Sequence, residues 1–211
     1  MIGLGASSAL LVMDVQNDFC HPDGLYGTSA AFRHVPAAAA HVVPRIFPVV
    51  RACKERRIPV VATRLRVLTD LDGRGIGLDQ FRPQLRQMFV QSGFRSGTWG
   101  QQLVDDLMDP ELCPDYQVDK WGHSAMYLTE LEKVLRSIRA TTFVLAGLGT
   151  NGVVEGTARD LVSRGWHVWT LEDCVAAPQR ELHDAALLNL GHLGRVSTAA
   201  DFLAELDASA V

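Results

Sequence analysis

Short apolar segments alternate along the chain with segments in which apolar residues recur every three or four positions. The first kind is typical of buried β-strands and covers residues 9–13, 58–63, 116–120, 142–146, 166–171 and 195–197. The second kind predicts helices over residues 36–56, 101–108, 128–139, 151–163, 181–193 and 199–207. This alternation predicts an α/β fold, here a three-layer, doubly wound (Rossmann-like) sandwich around a mostly parallel six-stranded sheet.

Two regions interrupt the alternation. Pro44 and Pro48 fall within the first long helix, and we expect them to kink or break it because proline cannot donate the helical hydrogen bond. Residues 64–97 are rich in Gly and Arg and have no clean period, so loops and short helices are expected there. No repeat or linker divides the sequence, which predicts a single domain over residues 1–211.

The composition narrows the classes of function. Hydrophobic residues make up 47% of the 211 residues and charged residues 21%, which suits a globular protein with a substantial core. The formal net charge of −4 gives no reason to expect nucleic acid or an anionic membrane as a partner. No apolar run reaches the about 18 residues of a membrane span. The first eight residues lack the basic region of a signal peptide, so we expect a cytoplasmic protein.

Residues suited to chemistry lie at the ends of three predicted strands. Asp14 follows the first strand, Lys120 ends the third, and a Gly-rich turn over residues 147–153 follows the fourth. Ligands of open parallel sheets bind beyond the carboxyl ends of the strands, so these segments are predicted to meet. A partly buried Asp14 would have a raised pKa suited to proton transfer, and Lys120 would supply a compensating charge. The backbone N–H groups of the turn could hold an oxyanion or a carboxylate.

Each of these features also has an ordinary structural interpretation. An aspartate at a strand end is often a turn residue, and a lysine at the end of an edge strand is usually on the surface. The Gly-rich turn could be a plain connection from strand to helix, with Asn151 as the N-cap.

Three motifs favour the functional interpretation. They are Val12-Met-Asp-Val-Gln-Asn-Asp-Phe19, the set Lys120, Ser124, Ala125, Thr129 and Leu131, and Gly147-Leu-Gly-Thr-Asn-Gly-Val153. Together they resemble the isochorismatase-like hydrolases over nearly the whole chain. The resemblance implies that Asp14 is the catalytic acid/base and Lys120 its partner. It also implies a cis peptide between Leu148 and Gly149, oxyanion donors at Gly149 and Val153, and a homo-oligomer (dimer or tetramer) that acts on a small molecule.

The chain departs from this resemblance at one position. Most members of the family attack a C–N bond with a cysteine thiolate, and the position of that cysteine falls on Val153, which has no nucleophile. Isochorismatases proper also lack the cysteine, and cleave a vinyl ether after an aspartate protonates it, but they carry glycine there. Four functions therefore stay open: vinyl-ether hydrolysis, C–N hydrolysis by water, C–N hydrolysis by a relocated thiol of Cys20 or Cys174, and ligand binding without catalysis. We favour a hydrolase for a small, carboxylated metabolite.

The remaining residues of chemical interest are interpreted with this pocket in mind. Phe19, Trp99, Trp121 and Asn151 are candidates for substrate binding, and four arginines could bind an anionic substrate: Arg64, Arg66, Arg74 and Arg82. The four cysteines show no CxxC spacing, so no disulfide framework or zinc site is predicted. Nicotinamidase-like relatives bind a divalent ion through an aspartate and histidines after the second strand. This chain has no histidine over residues 62–67, so no metal and no cofactor are expected.

Overall fold

A computed structural model describes residues 7–209 of the protein. The expectation about a signal peptide rests on the N-terminus, of which residues 1–6 lie outside the described part. No helix in residues 7–209 combines the length and the apolar character needed to cross a bilayer.

Within the described residues, eight strands form one large and one small sheet. They are β1 (Ser8–Met13), β2 (Val60–Leu65), β3 (Leu68–Thr69), β4 (Gly75–Ile76), β5 (Tyr116–Lys120), β6 (Thr142–Leu148), β7 (His167–Ala176) and β8 (Arg195–Ser197). The large sheet has the order β5-β2-β1-β6-β7-β8, and every pairing in it is parallel. The prediction of a mostly parallel six-stranded sheet is therefore confirmed. The hairpin β3–β4 was not predicted, because two-residue strands carry no periodic signal.

In the part of the chain that the structure describes, eight α-helices accompany the sheets. They are α1 (Asn17–Cys20), α2 (Leu25–Thr28), α3 (His34–Glu55), α4 (Pro83–Gln91), α5 (Leu131–Ser137), α6 (Glu155–Ser163), α7 (Arg180–Leu193) and α8 (Ala199–Ala208). Buried side chains of α3 and α8 pack on one face of the sheet. Those of α5, α6 and α7 pack on the other face. These two cores confirm the three-layer α/β architecture.

The expected break in the first helix is wrong. Helix α3 runs without interruption through Pro44 and Pro48. Both prolines are exposed, so the carbonyl groups that lose their helical donors lie on the side open to water. On the opposite side Val42, Ile46 and Val50 are buried against the sheet, and this packing holds the helix together.

Several predicted boundaries are also corrected. Strand β7 does not end before Glu172 but continues to Ala176, where it pairs with β6 beyond a register shift. The helix predicted over 101–108 is replaced by two short 3₁₀ turns at Trp99–Gln101 and Asp105–Met108. The helix predicted over 128–139 covers only Leu131–Ser137. Its flanking residues Leu128 and Arg139 have positive φ, which ends a helix.

Candidate functional site

The three segments predicted to carry chemistry meet at the carboxyl edge of the large sheet. Asp14 directly follows β1, and Lys120 is the last residue of β5. Strand β2 lies between these two strands, and β6 pairs with the other side of β1. Since all four strands are parallel, their carboxyl ends lie on one side, as the rule for open sheets requires.

Asp14 and Lys120 form a buried ion pair. Lys120 Nζ lies 2.8 Å from Asp14 Oδ2, and the two residues are only 4% and 3% exposed. Lys120 Nζ also donates to the carbonyl of Gly122 at 2.8 Å, and Thr63 Oγ1 lies 3.5 Å from Asp14 Oδ1. The surface interpretation of Lys120 is therefore wrong. The cost of removing two charges from water is offset only when their geometry is good. Removal of one partner would leave the other charge buried and unpaired.

Burial also changes the acidity of groups around the pair. The pKa of Asp14 is raised, because loss of solvent disfavours the carboxylate more than the charge and hydrogen bond of Lys120 favour it. The pKa of His123 is lowered, first by burial and then by the nearby charge of Lys120. Burial thus shifts the pKa of Asp14 upward and that of His123 downward, so the two values approach each other in a way that suits proton transfer.

Asp14 has a strained backbone conformation, which hydrogen bonds to the neighbouring backbone hold in place. Its φ is +59°, in the left-handed region that aspartate and asparagine tolerate better than most residues. Its N–H donates to the carbonyl of Thr63, and its own carbonyl accepts from the N–H of Gln16. The carboxyl group is therefore held by the ends of β1 and β2, and not by a flexible turn.

The polar residues that follow Asp14 are structural. The Gln16 side chain donates to the carbonyls of Leu65 and Gln101 and accepts from the N–H of Leu65. Asp18 accepts from the N–H groups of Leu25 and Phe94. Their side chains tie neighbouring loops to the sheet, which explains why they are polar and yet buried.

The turn after β6 is built without the expected cis bond. No cis peptide occurs within residues 7–209, so the Leu148–Gly149 bond is trans. Gly147 and Gly149 instead have φ values of +126° and +84°, and a π-helical turn over Thr150–Val154 follows before α6 begins. Two glycines in conformations closed to other residues give the chain its sharp change of direction.

The N–H group of Gly149, which was expected to donate to an oxyanion, already donates a hydrogen bond within the protein. The N–H of Gly149 donates to the carbonyl of Ala176 at 2.7 Å. The carbonyl of Gly149 in turn accepts from the N–H groups of Gly152 and Val154. In this conformation the N–H group of Gly149 is hydrogen-bonded to the end of β7, so it is not free to polarise a substrate carbonyl.

We expect Gly147→Ala to destabilise the fold by roughly 3–5 kcal/mol, because it combines a strained φ with a steric clash. A Cβ at this position would overlap the carbonyl oxygen of Met13 in β1. Gly165→Ala is the control, since Gly165 has φ +80° but no atom within 4 Å of the place that a Cβ would take. It should cost only about 1–2 kcal/mol. Urea unfolding of both variants checks this, and equal losses would contradict the close approach of β1 and β6.

A cavity of about 720 Å³ opens in front of the ion pair. Asp14, Lys120 and His123 contribute to its walls, and so do Val153 and Asn151 of the turn. Most of the remaining wall is apolar, with five aromatic side chains: Phe19, Tyr26, Phe32, Phe81 and Phe89. A volume of this size suits a small metabolite.

The structure separates the four predicted substrate-binding residues. Phe19 and Asn151 line the cavity, whereas Trp99 and Trp121 do not. Trp99 is 44% exposed and packs edge-on against His21. Trp121 donates to the carbonyl of Leu128 and lies under the guanidinium of Arg66. Trp121 directly follows Lys120 in sequence, yet neither tryptophan belongs to the cavity wall.

The arginines are separated in the same way. Arg64 and Arg66 bind the carboxylate of Asp119, at 2.8 and 3.6 Å. Arg74 is exposed beside the β3–β4 hairpin and is not part of the cavity wall. Of the four, Arg82 lines the cavity.

Neither cysteine considered as a relocated nucleophile lines the cavity. Burial raises the pKa of Cys20 to about 12, with a smaller contribution from Asp14. Burial also raises the pKa of Cys174 to about 12, and this thiol contacts the carbonyl of Arg45. Thiols with such pKa values are almost entirely protonated at neutral pH and are poor nucleophiles.

The residues at the edge do not fit the divalent-ion site of nicotinamidase-like proteins. Within residues 7–209, no three His, Cys, Asp or Glu side chains are grouped so that they could hold a metal ion. Asp14 is paired with an ammonium group, and the positions after β2 carry arginine rather than histidine.

Sequence reasoning missed Tyr26 and the wall around it. Six aromatic residues pack together here, and we call them the aromatic cluster: Phe19, Tyr26, Phe32, Phe81, Phe89 and Phe94. The available signal was the concentration of phenylalanine in residues 19–94, which hold six of the eight in the chain. No periodicity links these residues, because they come from separate short elements.

The fold and the cavity define the class: an α/β protein with a buried acid–ammonium pair at the carboxyl edge of a parallel sheet. Comparison with known proteins gives the family. Residues 8–201 match the Isochorismatase domain, so the chain belongs to the isochorismatase family and the resemblance seen in its motifs is confirmed.

Individual relatives cover most of the chain. A protein of Arabidopsis thaliana named "Probable inactive nicotinamidase" is 30% identical over 189 residues, 89% of this chain and 90% of the relative. The ureidoacrylate amidohydrolase RutB of Methylobacterium radiotolerans is 32% identical over 212 aligned positions, covering 93% of this chain and 78% of that enzyme. The crystal structure of a cysteine hydrolase from Pseudomonas syringae has the same fold, with a TM-score of 0.77 at 24% identity, covering 99% and 97% of the two chains.

Proposed function

We propose that this protein is a cysteine-independent hydrolase for a small, carboxylated metabolite, with Asp14 as the acid/base and Lys120 as its electrostatic partner. The observation that carries the proposal is the buried Asp14–Lys120 pair, which opens into a 720 Å³ cavity beside a valine. A charged pair is expensive to bury, so its position on a cavity wall supports a use in chemistry.

Hydrolysis of a vinyl ether is the reaction that fits these residues best. Asp14 would give its proton to the terminal CH₂ carbon, which becomes a methyl group, and the adjacent carbon becomes an oxocarbenium ion. Water adds to that carbon and returns its proton to the Asp14 carboxylate. The resulting hemiketal breaks its bond to the alcohol oxygen, which takes the hydroxyl proton, and a ketone forms. No thiol is needed at any step.

The turn supports this reaction over amide hydrolysis. Attack of water on an amide would need backbone donors for the oxyanion, and the N–H of Gly149 is already bonded to Ala176. Burial of Asp14, which raises its pKa, favours a proton donor. Val153 is larger than the glycine of isochorismatases, so we expect a substrate other than isochorismate itself to fit best.

A turnover screen in deuterium oxide tests the proposal. The protein is incubated with enolpyruvyl ethers, isochorismate among them, and with primary amides and ureido acids, and the products are analysed by mass spectrometry. Vinyl-ether cleavage through Asp14 places one solvent deuterium in the product methyl group, whereas hydrolysis of a C–N bond places none on carbon. Release of ammonia or a carbamate without that label would contradict the proposed reaction.

We expect thiol alkylation to leave the activity unchanged. Because burial raises the pKa of Cys20 and Cys174 to about 12, little thiolate forms at neutral pH, and its fraction falls about tenfold for each pH unit below that value. The measurement is turnover after iodoacetamide treatment, with labelled cysteines located by peptide mass spectrometry. Loss of activity that follows labelling of either thiol, together with loss of activity when that cysteine is replaced by alanine, would favour the relocated nucleophile.

One observation favours a second candidate, ligand binding without catalysis. The Gly149 amide is bonded within the protein, and one relative is named a "Probable inactive nicotinamidase". A protein of this kind would bind members of the screen without converting them. Calorimetric binding combined with no product over the whole panel would support this candidate and contradict the hydrolase.

A further inference from the structure

The charges around the cavity do not cancel. Its walls contain five residues that can carry a charge near neutral pH: Asp14, His34, Arg82, Lys120 and His123. Asp14 and Lys120 neutralise each other at 2.8 Å. The pKa of His123 is lowered by burial and by Lys120, which keeps this ring neutral. Arg82 is then the cation of this wall that has no acidic partner within residues 7–209.

Arg82 has no carboxylate of its own in the described part of the chain. Within residues 7–209, no Asp or Glu oxygen lies within 4.0 Å of its guanidinium. Asp79, the nearest acidic residue in sequence, faces Arg86 at 3.6 Å. The Arg82 guanidinium instead lies over the ring of Phe32, 5.3 Å from its centroid. This stacking places the cation at the cavity without neutralising it.

Tyr26 adds a free hydroxyl to the same wall. Its side chain is only 7% exposed, yet it lines the cavity. The hydroxyl makes no hydrogen bond within residues 7–209, and it is not among the polar atoms that are sealed off from solvent. Burial raises the pKa of Tyr26, so the hydroxyl stays protonated and able to donate. On the wall of a cavity, an accessible hydroxyl without a protein partner is available to a ligand atom.

Tyr26 and Arg82 lie in the same part of the cavity wall, because both pack against Phe32. The rings of Tyr26 and Phe32 are 5.4 Å apart, and the Arg82 guanidinium lies over the same phenylalanine. The positive charge of Arg82 also opposes the rise in the pKa of Tyr26, as expected for neighbouring groups. The rest of this wall consists of the apolar side chains of the aromatic cluster.

We propose that Tyr26 and Arg82 form a carboxylate-binding subsite for an aromatic or cyclic substrate. The hydroxyl donates one hydrogen bond to the carboxylate, the guanidinium donates a second charged contact, and the aromatic cluster packs against the ring. This inference rests on the proposed function for the presence of a carboxylate, and it adds the two residues that select it and the kind of skeleton that carries it.

Calorimetric titration with 3-phenylpropanoate and with its uncharged amide tests the subsite. The native protein should bind the acid at least about tenfold more tightly than the amide, because a hydrogen bond to a charged group contributes more than a neutral one. Tyr26→Phe and Arg82→Gln should each weaken binding of the acid about 10- to 100-fold and leave binding of the amide almost unchanged. The ultraviolet difference spectrum of tyrosine on binding should disappear in Tyr26→Phe.

Two matched variants serve as controls. Arg74→Gln removes the same charge outside the cavity, and Tyr127→Phe removes a hydroxyl from a tyrosine that is 67% exposed. Both should bind the acid like the native protein. Equal binding of acid and amide, no binding of the acid, or native affinity in Tyr26→Phe and Arg82→Gln would each overturn the subsite.

The subsite and the proposed function can fail separately. Turnover that depends on Asp14, together with acid binding that is indifferent to Tyr26 and Arg82, would retain the hydrolase and reject the subsite. Acid binding that depends on Tyr26 and Arg82, with no product from any member of the screen, would retain the subsite and reject the hydrolase.

Discussion

Asp14→Asn is expected to lower turnover by at least about a hundredfold, the lower range of what general acid–base catalysis contributes. Asparagine has nearly the same shape and is one of the few residues that accept the φ of +59° found at this position, so the backbone should be retained. The amide cannot give a proton to the substrate or take one from water. Steady-state kinetics on the best substrate of the screen provide the measurement, with circular dichroism to verify folding.

The dependence on pH sharpens this prediction. Burial raises the pKa of Asp14, so the carboxyl group keeps its proton to a higher pH than an exposed aspartate would. Turnover that needs the protonated acid should fall as pH rises through that raised pKa, and the residual turnover of Asp14→Asn should lack this fall. Asp72→Asn, an exposed change on the β3–β4 hairpin, is the control. Native turnover in Asp14→Asn would show that this carboxyl group has only a structural role.

Lys120→Met is expected to lower the free energy of unfolding by about 3–5 kcal/mol, because it leaves Asp14 buried without its partner. Methionine keeps much of the length of the lysine side chain, so little of the loss should come from a cavity. Urea unfolding measures it. The double variant Asp14→Asn with Lys120→Met should recover much of the loss, since it contains no uncompensated buried charge.

The sign of the pH effect can be stated for the same variant. An aspartate with a raised pKa in the folded state binds its proton more tightly when folded, so protonation favours folding. The stability of Lys120→Met should therefore increase as pH falls through the folded pKa of Asp14. The control is Lys54→Met, which removes a pair at 3.4 Å whose side chains are 24% and 42% exposed. It should cost less than about 1 kcal/mol. A loss that small in Lys120→Met would mean that the Asp14–Lys120 pair is well solvated.

The fold was predictable where one local pattern repeated often enough. The bounds of β5 and β8 agree with the apolar pattern, and those of β1, α7 and α8 differ from it by one residue at an end. The continuation of α3 through Pro44 and Pro48 was not predictable, because it depends on which side of the helix faces water. The extension of β7 through Glu172 depends on pairing with β6, which is distant in sequence.

The candidate site shows the same division. Asp14 and Lys120 were found because each stands at the end of a recognisable strand, and parallel strands end on one side. Trp99 and Trp121 were predicted as substrate-binding residues, and the structure leaves both of them out of the cavity wall. Tyr26 was missed because nothing in its own segment marks it as part of a cavity wall.

The sequence by itself determined the six strands of the large sheet, the family, and the absence of a nucleophile at Val153, because these depend on residue type and local spacing. Only the tertiary structure decided the protonation tendency of Asp14, the occupied amide of Gly149 and the free state of Tyr26 and Arg82 within residues 7–209. Desolvation and hydrogen bonding are set by groups that fold together from remote parts of the chain, and no local pattern encodes them.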